Sequence, residues 1–367
     1  MNHLFRLFFS LVLLLIHNTV LAVEPSSIDS DKVKNAKSII QEQGTLNESI
    51  KPKFQQTKSD KTKPKQKKSA EQWLAELSQA LTTKNFTTSF LVIKNRQTEL
   101  YHWFHGLDDE QKSFEILTSL NGPQRDVLRK DNVVSYIEQQ QAPYSVHSNR
   151  IKGPVPTILS GDVKVLLPNY EFILMGKTRI LGKSAQLIRI VAKDQHRLGY
   201  WLWLDKETGL LVKSAIITPK GRLLEQIQFT QLEITTGLSN PLQQLAATNL
   251  PTVIETPGNI DKNNLPHVKL QWDVTWLPAG FEQIKADRHP ISLSNTPVEF
   301  RMYTDGLVEV SVYVNKSTSQ RRAPDFVYDG ATIALNQIIN GIEVSIVGKI
   351  PVYTAKTIAE SIRFTGN

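Results

Sequence analysis

The chain has 367 residues, no cysteine and a formal net charge of +8. At roughly 100–200 residues per domain it has room for two folded units, and without cysteine neither can rest on disulfides or on thiolate metal sites. The charge is local: residues 51–68 hold eight lysines and one acid, Asp60, and outside them 43 basic and 35 acidic residues fall to 35 and 34, which excludes the folded basic face that nucleic acid requires.

Residues 1–22 read as a secretory signal peptide. Arg6 supplies the positive start, Leu7–Ile16 the apolar core and Val20-Leu21-Ala22 a small-residue cleavage site. The core is shorter than the ~20 residues that a membrane span needs. An uncleaved N-terminal anchor is the competing reading. With no cysteine at the cleavage site, lipoprotein processing is excluded. The mature chain is expected to begin near Val23 and to work outside the cytoplasm. Residues 23–68 are rich in Lys, Ser, Gln and Asp, and are too poor in apolar residues to offset the entropy of ordering. They are expected to be a disordered segment, read either as a solubilising linker or as an electrostatic tether to an anionic leaflet.

Order is expected from Ser69. Ser69-Ala70-Glu71-Gln72 has the form of a capping box, and Trp73, Leu74, Leu77, Ala80 and Leu81 then fall on one helical face. From Phe86 to Ile234 strand patterns follow one another with short turns at Asn121-Gly122-Pro123, Asp205–Gly209 and Pro219-Lys220-Gly221. Short connections make successive strands antiparallel. Residues 151–169 interrupt the pattern and could hold short helices. The expected unit, residues 69–237, is a large curved antiparallel half-barrel with helices.

Residues 238–262, marked by Pro241, Pro251 and Pro257, read as a linker with a short helix near Leu242–Thr248. Residues 263–367 read as a smaller C-terminal α+β domain. Asp305-Gly306 and Asn340-Gly341 both carry the type I′ hairpin signal, and a closing helix after Thr354 places Ala355, Ile358, Ala359 and Ile362 on one face.

No catalytic constellation emerges. Gly176 to Ser184 imitates a phosphate loop but has five residues between its glycines, not four, and lies between strand patterns. His102 and His105 are an odd number of residues apart, so a strand points them to opposite faces and they cannot share a metal ion. Neither a metal site nor a cofactor is expected. What stands out is aromatic: Tyr101, Trp103, Trp201, Trp203 and Phe229 are the candidate ligand-binding residues. One reading makes them core beneath covering helices. The other makes part of this surface the wall of a cavity for an apolar ligand.

The strings NGPQRDVLRKDNVVSYI, PNYEFILMGKTRI, IRIVAKDQHRLGYWLWLDKETGLLVKSAIITPKGRLLEQIQF, TWLPAGF, YTDGLVEVSVYVN and IVGKIPVYTAKTIAESI resemble the RseB/MucB family, in order and across residues 70–364. The resemblance implies a LolA/LolB-like half-barrel followed by a smaller domain, in a periplasmic protein without catalysis. It implies a negative regulator of the sigma-E envelope stress response. Such a protein binds the periplasmic domain of a membrane anti-sigma factor of the RseA/MucA type and shields it from site-1 proteolysis. Lipid, lipopolysaccharide or lipoprotein acyl chains are the candidate signals, and a homo-oligomer is left open. The Lys-rich stretch 23–68 has no counterpart in the resemblance. A Lol-type lipoprotein or lipid carrier is the alternative, although a carrier would need only the large domain.

Overall fold

The computed structural model describes residues 68–139, 141–151, 159, 161–254, 270–290, 297–315 and 326–364. The expected signal peptide and, apart from Lys68, the Lys-rich segment lie outside the described residues.

Helix α1 (Ala70–Thr83) begins where the sequence places it. The Ser69 hydroxyl accepts from the Gln72 amide at 3.3 Å, and the Gln72 side chain accepts from the Ser69 amide at 2.8 Å. Eleven antiparallel strands follow: β1 (Asn85–Lys94), β2 (Gln97–Leu107), β3 (Ser113–Ser119), β4 (Arg125–Lys130), β5 (Val133–Glu138), β6 (Gln141–His147), β7 (Tyr170–Ile180), β8 (Lys183–Ala192), β9 (Gly199–Asp205), β10 (Leu211–Ile217) and β11 (Leu223–Thr235). They form one sheet in the order β6-β5-β4-β3-β2-β1-β11-β10-β9-β8-β7. Register shifts at Ser89/Phe90, Leu174/Lys177, Leu211/Lys213 and Ile216/Ile217 mark bulges, which bend strands and increase twist. The sheet therefore curls around α1 without closing, and the large unit is the expected half-barrel. In the 151–169 interruption, Val163–Leu166 forms a single 3-10 turn.

The imitation phosphate loop is the β7–β8 hairpin. Leu181 and Gly182 both take positive φ, 51° and 75°, between the paired Ile180 and Lys183.

The first half of the expected linker is not a free connector. Helix α2 (Asn240–Ala247) lays Leu242 and Leu245 on Phe104, Phe114, Ile116 and Leu128 of the large sheet. Gly106 makes this approach close: a Cβ there would stand 2.9 Å from a Leu238 methyl. Ser145 then receives the chain, its amide donating to the Thr252 carbonyl and its hydroxyl to the Pro251 carbonyl. Pro and polar residues marked a boundary, but the three leucines Leu238, Leu242 and Leu245 have an apolar surface to cover. The rest of the expected linker, residues 255–262, lies outside the described residues.

The small unit is a six-stranded antiparallel sheet of β13 (Glu282–Pro290), β14 (Pro297–Thr304), β15 (Glu309–Asn315), β16 (Phe326–Asp329), β17 (Thr332–Ile339) and β18 (Ile342–Gly348), in the order β13-β14-β15-β18-β17-β16. Helix α3 (Val352–Glu360) packs Ala355, Ile358 and Ala359 into its core. A two-stranded ribbon joins β12 (Trp272–Val274) to β19 (Ile362–Phe364). Asn340 and Gly341 take φ of 51° and 77° between the paired Ile339 and Ile342, a true type I′ turn. Asp305-Gly306 is different. Only Gly306 has positive φ, and four residues separate the paired Thr304 and Glu309. The Asp305 carboxylate accepts from the amides of Leu307 and Val308 and builds the turn itself.

Candidate functional site

Side chains alternate across β1 and β2, so Phe86, Phe90, Tyr101 and Trp103 share the concave face. Phe229 joins them from β11, paired with Phe90. Helix α1 covers this side and buries Trp73, Leu74 and Leu77 against Ile188, Ile190, Leu202 and Leu204. Most of the concavity is thus filled by the chain's own side chains. A cleft of about 10 Å³, room for roughly one water molecule, remains between Leu81, Phe86, Trp103, Leu210, Leu211 and Phe229. That is far below the ~300–1,000 Å³ of pockets that enclose a small molecule. An acyl chain could enter only after α1 or the rings of the wall had moved apart.

The rings around it are held firmly. Phe86 meets Trp103 edge-on at 5.1 Å, and Phe90 stacks between Tyr101 at 5.4 Å and Phe229 at 5.5 Å. Trp103 Nε1 donates to Glu115 at 2.9 Å, and Arg129 Nε donates to the other oxygen of that carboxylate at 2.5 Å. This buried ion pair fixes the tilt of the indole that forms the cleft wall. His105 stacks on Phe86 at 4.9 Å, and its Nδ1 lies 2.8 Å from the Lys84 carbonyl, so Nδ1 carries the proton. Burial pushes its pKa below the ordinary histidine value. His102 lies on the other face, stacked on Phe104.

Of the five candidate residues, Trp103 and Phe229 therefore line the cleft. Tyr101 stands one ring away, behind Phe90. Trp201 and Trp203 do not join them. On β9 the inward positions are Tyr200, Leu202 and Leu204, so alternation sends both tryptophans to the convex face. There one cross-strand row runs Ile173, Arg189, Trp201, Ala215, Gln226, Ile93. The next runs Leu187, Trp203, Lys213, Gln228, Leu91, Leu100. Leu81, Phe86, Leu210 and Leu211 were not among the candidates. Leu81 was legible as part of the apolar stripe of α1, but nothing local tells a cleft wall from a core.

A charged seam joins the two sheets. Tyr170, at the start of β7, donates its hydroxyl to Asp305 at 2.8 Å, and Arg197 Nε donates to the same oxygen at 2.7 Å. Arg197 also donates to Asp194 and to the Ala279 carbonyl. Both charged side chains of the Arg197–Asp305 pair are fully buried. Burial and the neighbouring Asp305 carboxylate push the Tyr170 pKa upward. A second point of contact lies at the β1–β2 turn. Tyr101 donates to Glu99 at 2.8 Å, Glu99 lies 3.1 Å from Lys94, and Lys94 lies 3.0 Å from Asp329 of the small sheet. Lys349 of the small unit reaches Glu225 of β11 at 3.0 Å. Tyr101 thus touches both the ring stack beside the cleft and the chain of charges to the small sheet.

Comparison with known proteins gives this geometry a context. Residues 69–254 match the model of the MucB/RseB N-terminal domain, and residues 266–363 match that of the MucB/RseB C-terminal domain. The Sigma-E factor regulatory protein RseB of Salmonella typhimurium is 32% identical over 292 residues, covering 79% of this chain and 89% of that protein. The Sigma factor AlgU regulatory protein MucB of Pseudomonas aeruginosa is 28% identical over 298 residues, covering 80% and 90%. Among solved structures, MucB in complex with MucA(peri) matches with a TM-score of 0.63 at 26% identity, over 82% of this chain and all of that one. The MucA/MucB complex of Pseudomonas aeruginosa matches with a TM-score of 0.64 at 26% identity, over 81% and 99%.

Proposed function

The chain belongs to the MucB/RseB family, and from that premise we propose that it is a periplasmic, non-catalytic negative regulator of a sigma-E-type envelope stress response. It binds the periplasmic domain of a membrane anti-sigma factor of the RseA/MucA type and shields it from site-1 proteolysis. The observation that carries this reading is the extent of the match. A MucB chain in complex with MucA(peri) aligns over all of its own length with 82% of this chain. The large unit of this reading runs to residue 254, because α2 and residues 251–254 pack on the large sheet.

The cleft beneath α1 supplies the sensing half of the proposal. Its lining is wholly apolar, so the ligand it favours is an acyl chain, from lipid, lipopolysaccharide or a lipoprotein. Burying each methylene gains about 0.8 kcal/mol, so a chain of roughly ten carbons is needed to offset the costs of association and of moving α1. The test is titration of the mature protein with the purified periplasmic domain of the cognate anti-sigma factor, with and without a fluorescent acyl probe. The expected outcome is a stable complex that the acyl ligand weakens. No complex, with the probe still bound, would leave the Lol-type carrier as the better reading.

A further inference from the structure

The convex face of the large sheet combines features that neither the cleft nor the seam uses. Trp201 and Trp203 lie side by side there, 6.1 Å between ring centroids. Each carries a cation over its ring: the Arg189 guanidinium stands 5.2 Å from the Trp201 centroid, and Lys213 Nζ stands 5.0 Å from that of Trp203. Among the described residues neither cation has a carboxylate partner, and Arg189 Nε makes no hydrogen bond. The two cross-strand rows that hold them contain no acid. Further along the same rows, Ile93 and Leu100 are exposed, at 36% and 38%.

We propose that this convex face docks on an anionic lipid leaflet. Three observations favour a lipid surface over a folded partner. The two rows each cross six neighbouring strands, beside the part of the face that α2 covers. Its polar side chains in the two rows are Arg189, Lys213, Gln226 and Gln228, all half-buried, so it has charge to give but little directional hydrogen bonding. Tryptophan beside arginine and lysine is the combination suited to the headgroup region, where indole meets the acyl boundary and the cation meets phosphate. The sign of the eight lysines in residues 51–68 is the same, so the segment just upstream of α1 adds to the attraction and does not oppose it. The proposal stands apart from the regulatory reading, since it requires neither the cleft nor a protein partner.

The experiment is sedimentation of the mature full-length protein with vesicles of phosphatidylcholine alone, or of phosphatidylcholine with phosphatidylglycerol, at low and at high salt. Binding is expected only with phosphatidylglycerol, and is expected to weaken with salt. The Arg189→Gln/Lys213→Gln double variant should lose roughly 30-fold in partitioning. Gln226→Glu/Gln228→Glu, which keeps both cations and adds repulsion, should lose a comparable amount. This second pair keeps the test decisive if the first fails to fold, and equal thermal unfolding of variant and parent checks the fold. A third variant exchanges the lysines of residues 51–67 for glutamine and should retain a salt-sensitive remainder. The proposal is overturned if the parent ignores phosphatidylglycerol, or if both face variants bind like the parent. It is also overturned if the face captures an acidic peptide such as polyglutamate while vesicles fail to bind.

Discussion

At the scale of single residues, Asp305 does two jobs with one carboxylate. One oxygen accepts two amides and builds the β14–β15 turn, and the other receives Tyr170 and Arg197 from the large unit. Removing one partner of a buried ion pair strands the other charge, at a cost of about 3–5 kcal/mol. Asp305→Ala is therefore expected to lower the unfolding free energy by that order in urea titration. Tyr170→Phe leaves the ion pair in place and should cost only about 1–3 kcal/mol. A second prediction concerns His105. Its pKa is lowered in the folded chain, chiefly by burial. As pH falls through the unfolded value of ~6.5, the unfolded chain takes up a proton that the folded chain refuses. The contribution is fully present above that pH and is lost as pH falls towards the folded value. His105→Asn should therefore show a shallower loss of stability on acidification between about pH 7 and pH 5, measured by urea unfolding at each pH.

At the scale of elements, legibility followed sequence distance. The capping box of α1 and the Asn340-Gly341 turn need only residues within a few positions of one another, and both were readable. Asp305-Gly306 carried the same dipeptide signal as Asn340-Gly341 but made a four-residue turn. The Asp305 carboxylate closes that turn locally while also meeting Arg197, 108 residues earlier, and the dipeptide encodes neither contact. The tryptophans of β9 show the same limit on one strand. Alternation separates Trp201 and Trp203 from Leu202 with certainty, yet says nothing about which face is concave. That depends on where α1 docks. Because α1 roofs the cleft, its cap should affect ligand access. Ser69→Ala removes the amide acceptor at the helix start, at a cost of about 1 kcal/mol. The expected result is earlier hydrogen exchange in residues 70–77 and faster uptake of the fluorescent acyl probe.

At the scale of the whole molecule, residues 238–262 read in the sequence as a linker between two units. The seam instead joins the sheets through a buried pair and two partly buried ones. Burial alone would lower the Lys94 pKa, but Asp329 and Glu99 outweigh it and hold the lysine charged. The arrangement is thus one defined state, and a ligand can shift it only by binding another state more tightly. The route from Phe229 through Phe90, Tyr101, Glu99 and Lys94 to Asp329 is contiguous, but contiguity is not coupling. A charge exchange tests it. Lys94→Glu should weaken the effect of the acyl ligand on protection of the anti-sigma periplasmic domain from protease, and Asp329→Lys in the same chain should restore it. Equal ligand response in the single variant would remove this route from consideration.

The long separation between Arg197 and Asp305 also bears on how the protein is made and cut. A chain synthesised N-terminus first presents Arg197 before its carboxylate partner has arrived. Until the β14–β15 turn is delivered, the acid paired with that guanidinium among the described residues is Asp194. The large half thus starts with a guanidinium paired to Asp194 alone, without the Asp305 carboxylate and the Ala279 carbonyl that complete its shell. Fragments ending near residue 254 carry the same defect. Poor behaviour of such a fragment in a partner-binding assay therefore reports its half-paired guanidinium as well as its missing sheet. Arg197→Met in the fragment, which fills the space without the charge, separates the two contributions.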